Sequence, residues 1–230
     1  MNFHSQSGSP LEFIFIAIVA VIAVIGSIYG AIAARKRQEG LFELAQRLNL
    51  NFDAEHDCGI PQQFDFFEQF TQGSDRYATN VLSGNYQQNK ILAFDYHYTT
   101  GSGKNRQDHN LSFFILIMQG GRFPQMTIRR EGFFDRVAET LGFQDIKFES
   151  AEFSKAFCVR SPDKKFAYDV CNAQMMEYLL GNRDLSVEIE NEVIALAFNA
   201  RISVEQFEKD LQRLIEIRSH FPEYLFTQNT

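Results

Sequence analysis

Tryptophan is absent from the 230-residue chain, cysteine occurs three times, proline five times and glycine 14 times. Three widely spaced cysteines form no disulfide framework and leave no zinc-ligand spacing. So little proline and glycine excludes collagen-like or low-complexity chain. No serine nucleophile elbow, zincin helix or Rossmann glycine fingerprint occurs. Solenoid repeats and coiled-coil heptads are also missing. What is present is ordinary for a folded protein: 45% hydrophobic and 22% charged residues, with phenylalanine used 24 times. That apolar content is too high for a disordered chain. The length suits one sizeable domain or two small ones.

The strongest feature is the uncharged run from Phe13 to Ala34. A helix rises 1.5 Å per residue, so this run spans the roughly 30 Å hydrocarbon core of a bilayer. A buried core helix is seldom apolar all round for so long. A cleaved signal peptide is the rival reading, and Ala31-Ile32-Ala33 offers a small-x-small cleavage pattern. Against it, residues 1–12 contain no Lys or Arg. The run also exceeds the roughly 7–15 residues of a signal core, and Arg35, Lys36 and Arg37 would follow the cut.

Those three cations flank the C-terminal end of the run, whereas the other flank carries only His4 and Glu12. Basic residues stay on the cytoplasmic side. The expected layout is a short extracytoplasmic tail (1–12), a transmembrane helix (13–34) and a cytoplasmic domain (38–230), with a subdivision near 131 left open. A cell-membrane, single-pass location follows, with the lipid bilayer as first partner. Unpaired cysteines suit the reducing cytoplasm. Asn110-Leu111-Ser112 fits the glycosylation pattern, but a cytoplasmic domain does not meet that machinery. Gly26, Gly30 and Ala34 recur every four residues, the small-xxx-small spacing that lets two membrane helices approach closely. A homodimer is therefore an expectation.

Removing Glu12 and the three flanking cations leaves 19 basic and 28 acidic residues, a soluble-part charge of −9. Such a domain is pushed away from nucleic acid, which is not expected as a partner, and from anionic lipid, whose headgroups only the Arg35–Arg37 cluster is expected to touch.

Within the soluble part, Leu41, Leu44, Ala45 and Leu48 fall at helical spacing over 38–50, a helix that continues the membrane segment with only Gly40 between. Asn49 to Ile60 reads as irregular. Pro61 suits the first turn of a short helix with Phe64, Phe67 and Phe70 facing one way. Strands follow over 76–83, 91–99, 110–118 and 124–130, with a turn at 84–89 and a polar loop at 100–107. Helical spacing returns over 133–141. Further strands are expected at 145–149 and 157–160, around a helical turn at 150–154. A helix is expected over 164–180, then a hairpin around Asn191-Glu192. Ser203 with Gln206 forms a capping box before a last helix over 204–221. Strands joined by polar turns without helices between them pair antiparallel. The fold class is α+β: an antiparallel sheet backed by helices. Phenylalanine in every element fills the core, and a Phe-lined ligand cavity is the functional alternative.

Complete catalytic constellations are missing. Gly103-Lys104 resembles part of a phosphate loop, but Tyr98 stands where the first Gly belongs and Asn105 where Ser or Thr belongs. The segment also leads into a strand rather than a helix. Pairing symmetrically about Gly103 would set His97 opposite His109, with Asp95 and Asp108 close by. Two imidazoles and a carboxylate could hold a divalent metal. Solvated polar residues beside a loop are the plainer reading. Cys58 follows His56 and Asp57, but neighbours in sequence rarely reach nucleophile–base geometry. Cys158 and Cys171 read as small core residues. Asp145, Glu149 and Glu152 cluster near a strand end. Glu188, Glu190 and Glu192 alternate, which predicts a solvated acidic strand face rather than a carboxylate pair. No catalytic residue and no cofactor is expected.

Three segments carry a resemblance: Asn80-Val81-Leu82-Ser83-Gly84; Phe94-Asp95-Tyr96-His97-Tyr98 with Gly101-Ser102-Gly103-Lys104; and Glu152-Phe153-Ser154 with Phe157. The layout resembles bacterial membrane-anchored proteins with one N-terminal membrane helix and a cytoplasmic domain of unknown function. The resemblance covers most of the soluble part and brings no activity and no catalytic residues. The functional expectation is a membrane-anchored interaction or scaffold protein that binds a membrane-associated protein. A metal-binding protein or hydrolase using the 95–109 hairpin is the alternative.

Overall fold

The computed structural model describes residues 10–118, 120–130 and 144–227. Its contacts divide into two units, residues 1–40 and 41–230. Helix α1 runs from Pro10 to Arg47. Proline suits a helix start because its missing N–H would have no intrahelical acceptor there. The helix passes through Gly40 unbroken. In the second unit its last turns bury Leu41, Leu44 and Ala45, the spacing that turns one face inward.

The second unit is organised by an eight-stranded, wholly antiparallel sheet. In chain order the strands are β1 (Asn51–Asp53), β2 (Ser74–Tyr86), β3 (Asn89–Thr100), β4 (Gln107–Ile117), β5 (Phe123–Arg130), β6 (Phe157–Arg160), β7 (Val187–Asn191) and β8 (Val193–Ala197). Their spatial order is β1-β2-β3-β4-β8-β7-β5-β6. Strands β1 to β4 form a meander, and the β7–β8 hairpin then inserts between β4 and β5. The helices are α2 (Gly59–Gln63), α3 (Ala151–Ala156), α4 (Lys164–Val170), α5 (Ala173–Gly181), α6 (Val204–Ser219) and α7 (Tyr224–Thr227).

Alternation along the strands separates two apolar layers. On one face Ile91, Ala93, Phe114, Leu116, Ile194 and Leu196 pack with α1, α4, α5 and α6, whose buried residues include Leu44, Phe166, Leu179, Phe207 and Leu214. On the other face Phe94, Tyr96, Phe113, Ile115 and Ala195 pack with Phe64, Phe67 and Phe70 from the segment between β1 and β2. Phe70 meets Tyr96 edge-on at 4.9 Å and Phe113 at 4.6 Å. The phenylalanines thus fill the core by packing on one another, as their spread along the sequence predicts.

Several local readings are revised. The 49–60 stretch contains β1, which pairs with residues 81–83 of β2. The β2–β3 turn is only Gln87-Gln88, both with positive φ. That is the conformation required by a two-residue hairpin, here without the usual Asn-Gly signal. Residues 145–149 form no strand. They lie against β6, where the Ile146 amide donates to the Val159 carbonyl at 2.8 Å. The helix expected over 164–180 is two helices. The Asn172 side chain accepts from the Met175 amide, starting α5, and its amide donates to the His220 carbonyl. Ser203 stands at the N-cap of α6, but its side chain makes no cap hydrogen bond. Residues 1–9 of the expected tail, the helix expected at 133–141 and the boundary near 131 lie outside the described residues.

Candidate functional site

The first candidate is the apolar helix itself. Residues Phe13–Arg47 of α1 are long and apolar enough to cross a membrane, and none of the most apolar window is buried against the rest of the protein. Phe13, Ile18, Ile22, Ile25, Ile28 and Ile32 are all exposed. Exposed apolar surface on this scale needs a covering, and a bilayer supplies one. Arg35, Lys36 and Arg37 follow the uncharged stretch within the helix, with Arg35 paired to Glu39 at 3.0 Å. Gly26 and Gly30 have open space where a Cβ would project. With Ala34 they keep the four-residue spacing.

The second candidate is the β3–β4 hairpin. Its register is His97 opposite Asn110 and Tyr98 opposite His109. The expected facing of His97 and His109 is therefore corrected by one residue. The cause is the turn: a 3-10 helix over Gly103–Asn105 moves the axis of pairing off Gly103. One slip turns a side chain to the other face. His97, Asp95 and Asp108 share the helix-covered side of the sheet, while His109 lies on the opposite side, stacked on Tyr98 at 4.5 Å. His97 Nε2 and Asp108 Oδ1 stand 4.0 Å apart. Asp108 also accepts from the Thr99 hydroxyl at 2.9 Å. That bond, with Arg106 beside it, holds the Asp108 carboxyl below its usual range. His109 Nε2 meets the Thr100 hydroxyl at 2.7 Å. Among the described residues no group of three His, Cys, Asp or Glu side chains is arranged to hold a metal.

Asp95 proves to be a buried node, wholly shielded from solvent. Ser112 Oγ donates to Oδ1 at 3.1 Å, and Asn80 Nδ2 donates to Oδ2 at 3.1 Å. Arg201 Nε lies 3.7 Å from Oδ2. The Ser112 hydroxyl also accepts from the Ile202 amide at 3.2 Å. Asn80 reaches this point because β2 bulges there: two residues, Asn80 and Val81, stand opposite one, with Asn80 at φ 53°. Asparagine tolerates that left-handed conformation better than most residues. The node ties β2, β3 and β4 to the segment after β8. A buried carboxylate persists when such donors satisfy it.

The acidic strand is revised as well. Glu188 is buried, not solvated. Its Oε1 accepts from Arg129 Nη2 at 2.8 Å and from the Gln69 side chain. Glu190 is half-buried, and burial followed by the neighbouring Glu188 pushes its carboxyl up. Glu192 lies in the hairpin turn and is exposed. The signal for this pairing was weak: Arg129 shares its face of β5 with Gln125 and Thr127, opposite Met126 and Ile128, and so reads as part of a solvated polar face. Arg213 of α6, also buried, donates to Asp184 at 2.8 Å and to Asp210 at 2.8 Å.

The remaining candidates separate. Glu152 pairs with Arg183, and Asp145 accepts from the Val159 amide at 3.1 Å. Cys58 is exposed and Cys171 is buried. Burial pushes the Cys171 thiol far up, which keeps it inert. His56 stacks on Tyr77 at 4.1 Å, and Tyr77 stacks on His97 at 4.7 Å.

No protein-family model matches the chain, and no curated protein sequence matches it. The crystal structure of the mycobacterial trehalose monomycolate transport factor A, TtfA, is similar to it with a TM-score of 0.58, covering 82% of this chain and 96% of that chain at 12% identity. At that identity the likeness shows a common fold.

Proposed function

We propose that this protein is a membrane-anchored accessory protein without catalytic activity, whose sheet domain engages a membrane-associated protein. The observation that carries the reading is the unburied apolar helix joined in one chain to a domain whose buried Asp95, Glu188 and Arg213 are paired within the domain itself. In this reading α1 crosses the bilayer once. Arg35, Lys36 and Arg37 hold the C-terminal end of its apolar stretch at the cytoplasmic surface, so the N-terminus is outside and the sheet domain is cytoplasmic. The name of TtfA, a trehalose monomycolate transport factor, supports an accessory role in transport. Gly26, Gly30 and Ala34 are the face through which two copies would associate.

Crosslinking and pull-down from intact membranes test the partner. The full chain, tagged at its C-terminus, is compared with a chain starting at Gln38. A protein captured only by the anchored form supports the reading, and capture of none by either form sinks it. Orientation is tested through the exposed Cys58. A membrane-impermeant maleimide is expected to label it only after permeabilisation, with Cys58→Ser as control. Labelling of intact cells reverses the orientation.

A further inference from the structure

On the helix-covered side of the sheet's β6 edge lies a cavity of about 470 Å³ whose described lining is Arg130, Glu152, Lys155, Ala156 and Arg183. These residues come from three places. Arg130 ends β5 and pairs in register with Phe157. Glu152, Lys155 and Ala156 belong to α3. Arg183 follows α5. Strand alternation sends the adjacent arginines apart. Arg129 goes to the opposite face to meet Glu188, and Arg130 turns to the exposed cavity.

The three cations and one carboxylate of the described lining sum to a formal charge of +2, inside a domain of charge −9. Arg183 is held in place, because Nη2 donates to Glu152 at 2.5 Å and Nε donates to the Leu180 carbonyl at 3.2 Å. The Arg130 and Lys155 side chains have no ion pair or hydrogen bond within the described protein and are exposed. Two unneutralised cations beside a third repel one another, and an anion between them relieves that cost. The cavity volume falls within the roughly 300–1,000 Å³ typical of small-molecule sites. Guanidinium groups match the oxygens of a phosphate in geometry as well as charge.

We propose that this cavity binds the phosphate group of a small anionic molecule, carried either by a soluble phosphorylated compound or by an anionic lipid headgroup. Arg130 and Lys155 supply the open charge, and Arg183, oriented by Glu152, supplies the fixed one. The site does not depend on the accessory reading above, since it concerns a ligand rather than a protein partner.

Calorimetric titration of the full chain in a nonionic detergent, at constant ionic strength, tests this. The probes are pyrophosphate, and short-chain phosphatidylglycerol kept below its micelle concentration, with short-chain phosphatidylcholine as the uncharged control. Saturable binding at or below about 1 mM is expected, corresponding to about −4 kcal/mol. It should weaken at least tenfold, by about 1.4 kcal/mol, in Arg130→Gln/Lys155→Gln. Both replaced side chains are exposed and have no partner among the described residues, so the melting temperature should not change. Binding of pyrophosphate alone assigns a soluble ligand. Binding of phosphatidylglycerol alone, or more tightly, assigns a headgroup. No saturation by either probe, or equal binding by the double variant, overturns the proposal.

Discussion

The apolar helix and the sheet domain use the same kinds of side chain to opposite ends. Ile14, Phe15, Ile18, Val21 and Ile25 of α1 are exposed, while Phe70, Phe94, Phe114, Ile128 and Ile189 of the sheet domain are at most 1% exposed. Both regions are rich in Ile, Val and Phe, so composition does not separate them. Periodicity does. In α1 the apolar residues run all round the helix. In the strands they alternate, and in α6 they keep to one face, so a folded interior can receive them. A segment apolar on every side has no inside to turn toward, and lipid is the medium that matches it.

The contrast breaks most visibly if charge is placed in the helix. Val21→Arg with Ile25→Arg puts two guanidinium groups one turn apart near its middle. Each costs about 2.5–3.5 kcal/mol at a bilayer centre on insertion scales. Fractionation should find the variant shifted out of the membrane pellet. Retention equal to wild type would show that the sheet domain, not α1, holds the protein there.

Next in size is a core truncation. Phe70→Ala removes a ring packed on Phe94, Tyr96 and Phe113. Loss of about 3–5 kcal/mol in denaturant unfolding is expected, from lost burial plus the cavity left behind. The same change at Phe15, which is 68% exposed, should leave domain unfolding unaltered.

A smaller effect is expected at the Asp95 node. Ser112→Ala removes the donor to Asp95 Oδ1 and the acceptor for the Ile202 amide. About 1–3 kcal/mol should be lost, because a buried carboxylate oxygen and an amide are left short of partners. An unchanged unfolding midpoint would mean that water replaces the hydroxyl.

The smallest effect is pH-dependent and sits at Arg213. Its hydrogen bond lowers the Asp184 carboxyl below its usual range, whereas burial raises that of Asp210. A lowered acid contributes stability above its unfolded-state pKa and loses it as pH falls through the folded value. A raised one contributes below its unfolded-state pKa and loses it as pH rises through the folded value. Asp184→Asn should therefore melt at a lower temperature than wild type at pH 7 and converge with it in acid. A constant difference across pH would assign the effect to packing instead of charge. Asp184 is largely exposed, so the shift should be small.

Much of the fold was legible because local rules and the tertiary outcome agreed. Continuation of α1 through Gly40 follows from Leu41, Leu44 and Ala45 at helical spacing. The β7–β8 hairpin follows from Asn191, which takes φ 54° at the turn. Where readings differed, a partner distant in sequence decided. Strand β1 has only three residues and exists because β2 pairs with it. Asn172 splits 164–181 into two helices while also donating to His220, 48 residues away.

By itself the sequence determined the α+β class, the antiparallel pairing and the helix too apolar for a globular interior. These depend on period and hydrophobicity, which are properties of the chain read in order. Tertiary structure alone decided which polar residues meet. A shift of one residue in the β3–β4 register parted His97 from His109. A bulge at Asn80 delivered an amide to Asp95. Packing of α3 against β6 and α5, with β6 paired to β5, gathered Arg130, Lys155 and Arg183 from places 25 and 28 residues apart. Side-chain encounters turn on registers, bulges and packing angles, and those are settled by the whole core at once rather than by any local run of residues.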